Sequence, residues 1–234
     1  MSAAPRPTRM MSALVIRAMV DEMVLPAFRR DGSEAEMVWD PTVALMERIR
    51  GGERADGILA IDWALDELAE KGLIDIASRR PVAQAAFGLA VMAGAPKPDI
   101  STGERLRQVL LDTPSLVYSQ AGASGIYFEK LIDRLGIGEQ IRAKATIIPR
   151  GLTGEKLANG EVVLAIQQIS ELLAVKGIEL VGPFPPDVQE TTNFSAALFT
   201  EAADPDGARR FIDILLTPEA RRIYLDIGLK PLFD

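Results

Sequence analysis

The stretch RIRGGERADGILAIDWALDELAEKGLI, residues 48–74, decides the fold class. Its short apolar run Gly57–Ile61 follows glycines and charged residues, which predicts a buried β-strand. Asp62–Lys71 then repeats apolar residues at helical spacing and stops at Gly72, which predicts an amphipathic helix. A buried strand followed directly by a helix is the repeating unit of a parallel α/β sheet.

The same alternation extends in both directions from this stretch. Upstream, strand candidates at Arg9–Ala13 and Glu36–Trp39 precede helix candidates at Val15–Phe28 and Pro41–Arg50. Downstream, the further helix candidates are Glu104–Leu111, Ser124–Leu135, Thr153–Asn159 and Ile169–Leu173. The strand candidates between them are Ser115–Tyr118, Ala145–Ile148, Val162–Ile166 and Ile178–Val181. Two amphipathic helices close the chain, and Thr217-Pro218-Glu219 is a favourable start for the second.

Two long apolar strand candidates, Val82–Met92 and Asn193–Thr200, stand between these groups of elements. We therefore predict an α/β fold of two lobes, each a mainly parallel sheet flanked by helices, joined by two crossing strands. Lobe 1 comprises residues 8–82 plus 196–234, and lobe 2 comprises residues 83–195. We expect a ligand cleft between the lobes and a hinge near residues 82–86 and 193–197.

Composition excludes several functional classes. The net charge of -7 and the pI of about 4.9 disfavour a nucleic-acid partner, because the surface repels phosphate. No apolar run approaches the roughly 18 residues that span a bilayer. The absence of Cys and His removes thiolate and imidazole ligands and nucleophile–His catalysis, so we expect no metal and no cofactor. We expect a monomer.

The N-terminal sequence shows no cleavable signal peptide. Arg17 and then Asp21 and Glu22 interrupt the apolar stretch after Arg9, and that stretch is needed as the first strand and helix. This predicts a cytoplasmic protein if the chain is complete, and a periplasmic one if its N-terminus was trimmed.

Helix starts that follow strands are the candidate anion sites, because unpaired N–H groups there attract negative charge. The candidate ligand-binding residues at such positions are Ser12, Ala13, Asp40, Thr42, Gly122, Ala123, Ser124, Arg150 and Gln167. Each has a structural alternative. Ser124 and Asp40 suit N-caps, and Arg150 suits a solvated surface position. After the strand that ends near Ile166, either Gln167 or Gln168 could face the ligand, and a capping role for Gln168 or Ser170 is equally plausible.

Five segments resemble the molybdate-binding-protein-like family of type II periplasmic solute-binding proteins, which serve ABC transporters. They are RMMSALVIR (9–17), the stretch 48–74, GASGIYFEKLIDRLGI (122–137), LANGEVVLAIQQISELL (157–173) and FIDILLTPEARRIYLDIG (211–228). The resemblance covers about residues 9–232. It implies two lobes, a two-strand hinge, and oxyanion capture by hydroxyls and backbone N–H groups.

The resemblance also implies individual roles. Ser12 matches the first-loop serine, Thr42 falls near the second-loop serine, and Ser124 lies in the third loop. Arg150 falls near a position that gives a backbone contact, and Gln167 replaces a tyrosine of the molybdate binders. The departures at Leu14 and at WDPT, residues 39–42, argue against molybdate itself.

We therefore expect a protein that binds a small anionic solute, an organic carboxylate rather than a molybdate-type oxyanion. It would be the substrate-binding component of an ABC transporter, with a permease as partner, or an orphan relative. One alternative is an isomerase of a small unsaturated polycarboxylate, like a periplasmic aconitate isomerase that resembles this group. Asp40 would then be its base and Arg150 its carboxylate clamp. A second alternative is a cytoplasmic small-molecule sensor module.

Overall fold

The computed structural model describes residues 6–30 and 32–234, which form two compact units. Unit 1 contains the described residues up to Gln84, Asn193–Asp226 and Lys230–Asp234. Unit 2 contains Ala85–Thr192 and Ile227–Leu229. The chain passes between the units within two long strands, β4 (Ile74–Met92) and β9 (Thr191–Phe199), and again on either side of Ile227–Leu229. The predicted α/β class is confirmed.

Unit 1 is built on a sheet of mixed direction. Its strands are β1 (Thr8–Ser12), β2 (Ala35–Trp39), β3 (Gly57–Ile61) and β9, in the order β2-β1-β3-β9. The first three are parallel and β9 is antiparallel to β3. Helices α3 (Thr42–Arg50) and α4 (Asp62–Glu70) follow β2 and β3, so the stretch 48–74 has the predicted strand-helix order.

The first helical region differs from the continuous helix predicted over Val15–Phe28. It consists of a 3-10 turn, α1, a π-helical segment and α2, with bounds Leu14–Ile16, Arg17–Met19, Val20–Val24 and Leu25–Arg29. Pro26 supplies the physical reason. Proline has no N–H to donate to the carbonyl four residues earlier, and its ring crowds that carbonyl. The helical hydrogen-bond pattern therefore changes from α to π just before Pro26.

Unit 2 carries a second sheet, in the order β4-β7-β5-β6 with β8 also paired to β4. Its strands after β4 are β5 (Leu116–Ser119), β6 (Ala145–Ile148), β7 (Leu164–Gln168) and β8 (Ile178–Pro183). Strands β5, β6 and β7 are parallel, and β4 is antiparallel to β7 and β8. The helices are α5 (Gly103–Asp112), α6 (Ala123–Arg134), α7 (Gly138–Arg142), α8 (Thr153–Ala158) and α9 (Ile169–Leu173).

The chain ends with α10 (Pro205–Leu215), α11 (Pro218–Asp226) and the short strand β10 (Leu229–Pro231). The predicted cap of the last helix is confirmed, because the Thr217 hydroxyl accepts a hydrogen bond from the Ala220 N–H at 3.2 Å. The sequence did not predict α7 or β10.

Each unit has an apolar core of its own. In unit 1, α3 and α4 cover the sheet with Leu45, Met46, Leu65 and Leu68, which pack on Ile58. In unit 2, the core on one sheet face includes Phe87, Leu106, Tyr118, Phe128, Leu131 and Ile166. A smaller cluster on the α8 side includes Val117, Leu157, Ala165 and Leu172. These buried faces fix the strand ends from which the candidate site residues project.

Candidate functional site

The strand ends of unit 1 bring Ser12 and Ala13 to one edge of the sheet. Strand register sets Ser12 beside Trp39 and Leu59. The Ser12 hydroxyl donates to the Ala13 carbonyl at 3.0 Å, and the Ala13 N–H donates to the Leu59 carbonyl at 2.9 Å. Both residues are buried, and each of these groups already has a partner within the unit.

Asp40 does not cap α3, so that structural interpretation is wrong. The N-cap is Pro41 and the helix begins at Thr42. The Asp40 carboxylate instead accepts a hydrogen bond at 3.0 Å from Arg48, eight residues further along the chain, and Asp40 is 5% exposed. Arg48 also pairs with Glu53 at 2.6 Å and holds the pKa of that carboxyl below its usual value. The negative charge of Asp40 is therefore compensated locally.

Two other polar residues at this edge of unit 1 are paired as well. The buried Thr42 hydroxyl accepts from the Ile61 N–H at 3.4 Å. Asp62, which opens α4, pairs with Arg79 at 3.0 Å and accepts a hydrogen bond from Ser195 at 2.6 Å. The candidate residues of unit 1 thus form internal contacts with their neighbours.

The strand ends of unit 2 differ, because they hold buried hydroxyls without partners. Ser119 ends β5 and is 2% exposed, and Ser124 lies in the first turn of α6 and is 1% exposed. The side-chain oxygens of both have no hydrogen-bond partner. Ser124 is not a cap, because the N-cap of α6 is Gly122 and no side chain caps it.

Two glycines place these hydroxyls side by side. A side chain on Gly122 would collide with the Ser119 hydroxyl and lie 3.7 Å from that of Ser124. A side chain on Gly125 would collide with the Ser119 carbonyl. Gly125 therefore lets α6 pack directly on the end of β5, and Gly122 leaves room for the Ser119 hydroxyl. Ala123, the first residue of α6, is half-buried between them.

Gln167 is used inside unit 2. Its side-chain oxygen accepts hydrogen bonds from the Thr153 N–H at 2.7 Å and the Thr153 hydroxyl at 2.8 Å. Its amide nitrogen donates to the Gly151 carbonyl at 3.0 Å. Gln167 thus fixes the β6–α8 loop, which carries the exposed Arg150, against the end of β7. Arg150 itself has a partner.

The next residues repeat the pattern seen at Ser119 and Ser124. Gln168 is 3% exposed and Ser170 is 5% exposed. The side-chain nitrogen of Gln168 and the hydroxyl of Ser170 have no hydrogen-bond partner. Gln168 is the N-cap residue of α9 but its side chain caps nothing, so the capping interpretation of these side chains is wrong. We call Ser119, Ser124, Gln168 and Ser170 the donor cluster of unit 2.

Sequence reasoning missed Glu171, which follows the donor cluster directly. Its carboxylate accepts hydrogen bonds from the backbone of Gln168 and the side chain of Gln167. Burial outweighs these bonds and raises the pKa of Glu171 to about 7. The sequence did contain a signal, because Glu171 stands three residues after the N-cap Gln168, the acidic position of a capping box.

The structure thus divides the predicted site residues between the units. Ser12, Ala13, Asp40 and Thr42 lie at the strand ends of unit 1, where Ser12, Asp40 and Thr42 make internal contacts. In unit 2, Gly122, Ala123, Ser124 and Arg150 follow parallel strands, and Gln167 lies at the end of β7. Among the described residues, no group of three or more acidic side chains has the arrangement of a metal site. No helix in the described ranges is long and apolar enough to cross a membrane.

Comparison with known proteins shows similarity over nearly the whole chain. Residues 9–230 match the family model for bacterial extracellular solute-binding proteins. An aconitate isomerase from a Pseudomonas species is 35% identical over 215 residues, which covers 89% of this chain and 82% of the relative.

Among solved structures, the periplasmic molybdate-binding protein of Azotobacter vinelandii superposes with a TM-score of 0.78 at 16% identity, covering 95% of this chain and 98% of that chain. The sulfate-binding protein of Mycobacterium tuberculosis superposes with a TM-score of 0.76 at 14% identity, covering 97% and 88%. At these identities the two structures show the shared fold.

Proposed function

The chain belongs to the bacterial extracellular solute-binding protein family, and from this premise we propose that it binds a small organic polycarboxylate through the donor cluster of unit 2. In this role it is the substrate-binding component of an ABC transporter, with a permease as partner, or an orphan relative of such components.

The observation that carries the proposal is the set of buried polar atoms without partners. Leaving such a group unpaired costs about 1–3 kcal/mol, so a folded chain retains several of them in one region only when something offsets the cost. Ser119 and Ser124 lie where β5 meets α6, while Gln168 and Ser170 lie where β7 meets α9. A bound molecule with several oxygen atoms would satisfy all four.

The chemical character of the cluster favours an anion. The Gln168 amide nitrogen donates only, and the hydroxyls of Ser119, Ser124 and Ser170 donate readily to carboxylate oxygens. These donors follow two different strands, which suits a molecule with spaced carboxylates better than a single compact oxyanion.

Similarity supports the carboxylate class independently. The relative at 35% identity is an aconitate isomerase, and aconitate is an unsaturated tricarboxylate. Asp40, in the segment of residues 39–42, does not by its charge disfavour molybdate, because that charge is paired with Arg48. The preference for a carboxylate over molybdate therefore rests on the donor cluster and on this relative.

The same relative favours a second candidate function, isomerisation of the bound tricarboxylate. Moving a carbon–carbon double bond along such a molecule requires a base that removes a proton and returns it. Asp40 is a poor choice for this base, because its carboxylate is buried and already bonded to Arg48.

A thermal-shift series tests the proposed ligand class. The probes are cis- and trans-aconitate, citrate, a saturated dicarboxylate, molybdate and sulfate, each at matched ionic strength. We expect the tricarboxylates to raise the melting temperature, since a ligand at 100 times its dissociation constant adds about 2.7 kcal/mol. A shift with molybdate or sulfate alone would contradict the proposal.

A further inference from the structure

We infer that Glu171 is the group that moves a proton of the bound ligand, which makes unit 2 a catalytic site as well as a binding site. The inference rests on the proposed polycarboxylate site and names a residue for the chemistry.

Glu171 follows two residues of the donor cluster closely along the chain. Gln168, Ser170 and Glu171 lie within four consecutive residues that run from the end of β7 into α9. The side chains of Gln168 and Ser170 are both more than nine-tenths buried and have no partner. Gln168 and Glu171 are three residues apart, the spacing at which side chains on a helix are neighbours, and the Glu171 carboxylate bonds the Gln168 backbone, so a ligand held by the Gln168 amide would lie beside Glu171.

Two neighbouring residues hold the Glu171 carboxylate in place. The Gln168 backbone and the Gln167 side chain donate to it. Gln167 is fixed in turn by Thr153 and Gly151, so it acts as a positioning residue that orients the carboxylate.

The pKa of Glu171 also suits proton transfer. Burial is the largest influence on Glu171, and it raises the pKa to about 7. A carboxyl group with this pKa is present in both forms near neutral pH, so it accepts and returns a proton with comparable ease. The ordinary value of 4.5 would make it a much weaker base.

The chemistry balances without any other reactant. The Glu171 carboxylate takes a proton from the methylene carbon that lies next to both a carboxylate and the double bond. The electrons of that C–H bond form the new double bond, and the electrons of the old double bond take the proton back from Glu171 at the far carbon. The ligand is neither oxidised nor reduced, and Glu171 ends as it began.

The structural alternative is that Glu171 only completes a capping box at the start of α9. Glutamine also serves at this capping position, so Glu171→Gln preserves the hydrogen bond and removes the base. Glu155, an exposed acidic residue in the first turn of α8, supplies a matched control as Glu155→Gln.

The experiment incubates the full chain with trans-aconitate in D2O and follows the ligand by proton NMR, with calorimetry of binding in parallel. We expect the wild type and Glu155→Gln to exchange the methylene protons and form the cis isomer. Glu171→Gln should stay folded, with a melting temperature no lower than that of the wild type, keep its binding, and lose exchange at least about 100-fold.

Two results would overturn the inference while leaving the proposed ligand intact. One is binding by the wild type without exchange, and the other is unchanged exchange in a folded Glu171→Gln variant, which would leave Glu171 as a cap. If no tricarboxylate binds, both the proposed function and the catalytic role of Glu171 are contradicted.

Discussion

At the scale of single residues, two glycines only three positions apart have different tasks. Gly125 lies against a backbone carbonyl of Ser119, which cannot move without shifting β5. Gly122 lies against the Ser119 hydroxyl, which can rotate. The difference decides whether a methyl group at each position harms the fold or the site.

We therefore expect Gly125→Ala to destabilise the protein by at least about 1–3 kcal/mol, because overpacking forces the backbone apart. Gly122→Ala should change stability much less and weaken ligand binding, because it displaces the Ser119 hydroxyl. Urea unfolding and calorimetry separate the two effects. Equal stability losses for both variants would show that Gly122 also meets a rigid neighbour.

At the scale of elements, the five-residue helix α9 carries Glu171, whose pKa is raised by burial. The folded-state pKa of Glu171 is about 7, above its ordinary value of 4.5, so the folded chain binds the proton more tightly than the unfolded chain between these values. The contribution of Glu171 to stability is therefore fully present below pH 4.5 and falls as the pH rises towards 7.

Melting temperatures of wild type and Glu171→Gln over pH 3–8 test this. The variant should gain stability relative to wild type as the pH rises from about 4.5 to about 7, and the difference should then stay level. Glu161→Gln is the control with opposite sign, because Lys156 lowers the pKa of Glu161. A pH-independent difference for Glu171→Gln would mean that Glu171 is an ordinary solvated carboxylate.

The bounds of several elements could be predicted from the sequence. Strand Gly57–Ile61, strand Ala145–Ile148 and helix Ile169–Leu173 have the bounds that their apolar patterns predict, since periodic burial determines both pattern and structure. The region Leu14–Arg29 differs from the predicted helix, because the N–H that Pro26 lacks changes the local hydrogen bonding while the apolar spacing stays helical.

The site was harder to predict than the fold. Ser124 was identified because hydroxyls near glycines at a helix start suggest a binding loop. Ser119 was missed, since nothing local distinguishes a serine that will lack a partner after folding. Glu171 was missed because its capping-box position does not show that burial will raise its pKa. For Asp40, a candidate ligand-binding residue, the structural alternative of an N-cap was wrong, because its pairing with Arg48 depends on side-chain geometry along α3.

At the scale of the whole molecule, the two units use their strand ends differently. In unit 1 the Ser12, Asp40 and Thr42 side chains have partners within the unit. In unit 2 the donor cluster retains buried groups whose partners the described chain does not supply. We therefore propose that unit 2 supplies most of the hydrogen bonds to the ligand.

Titration calorimetry with the two serines tests that claim most directly. The variants are Ser119→Ala and Ser124→Ala, and Ser115→Ala is the control, because the Ser115 hydroxyl accepts a structural hydrogen bond from the Val163 N–H. We predict that the wild type binds an aconitate isomer and that each site variant loses about 1–2 kcal/mol of affinity with its melting temperature unchanged. The control should keep full affinity. Submicromolar binding of molybdate without a response to any di- or tricarboxylate, or full affinity in both site variants, would contradict the account.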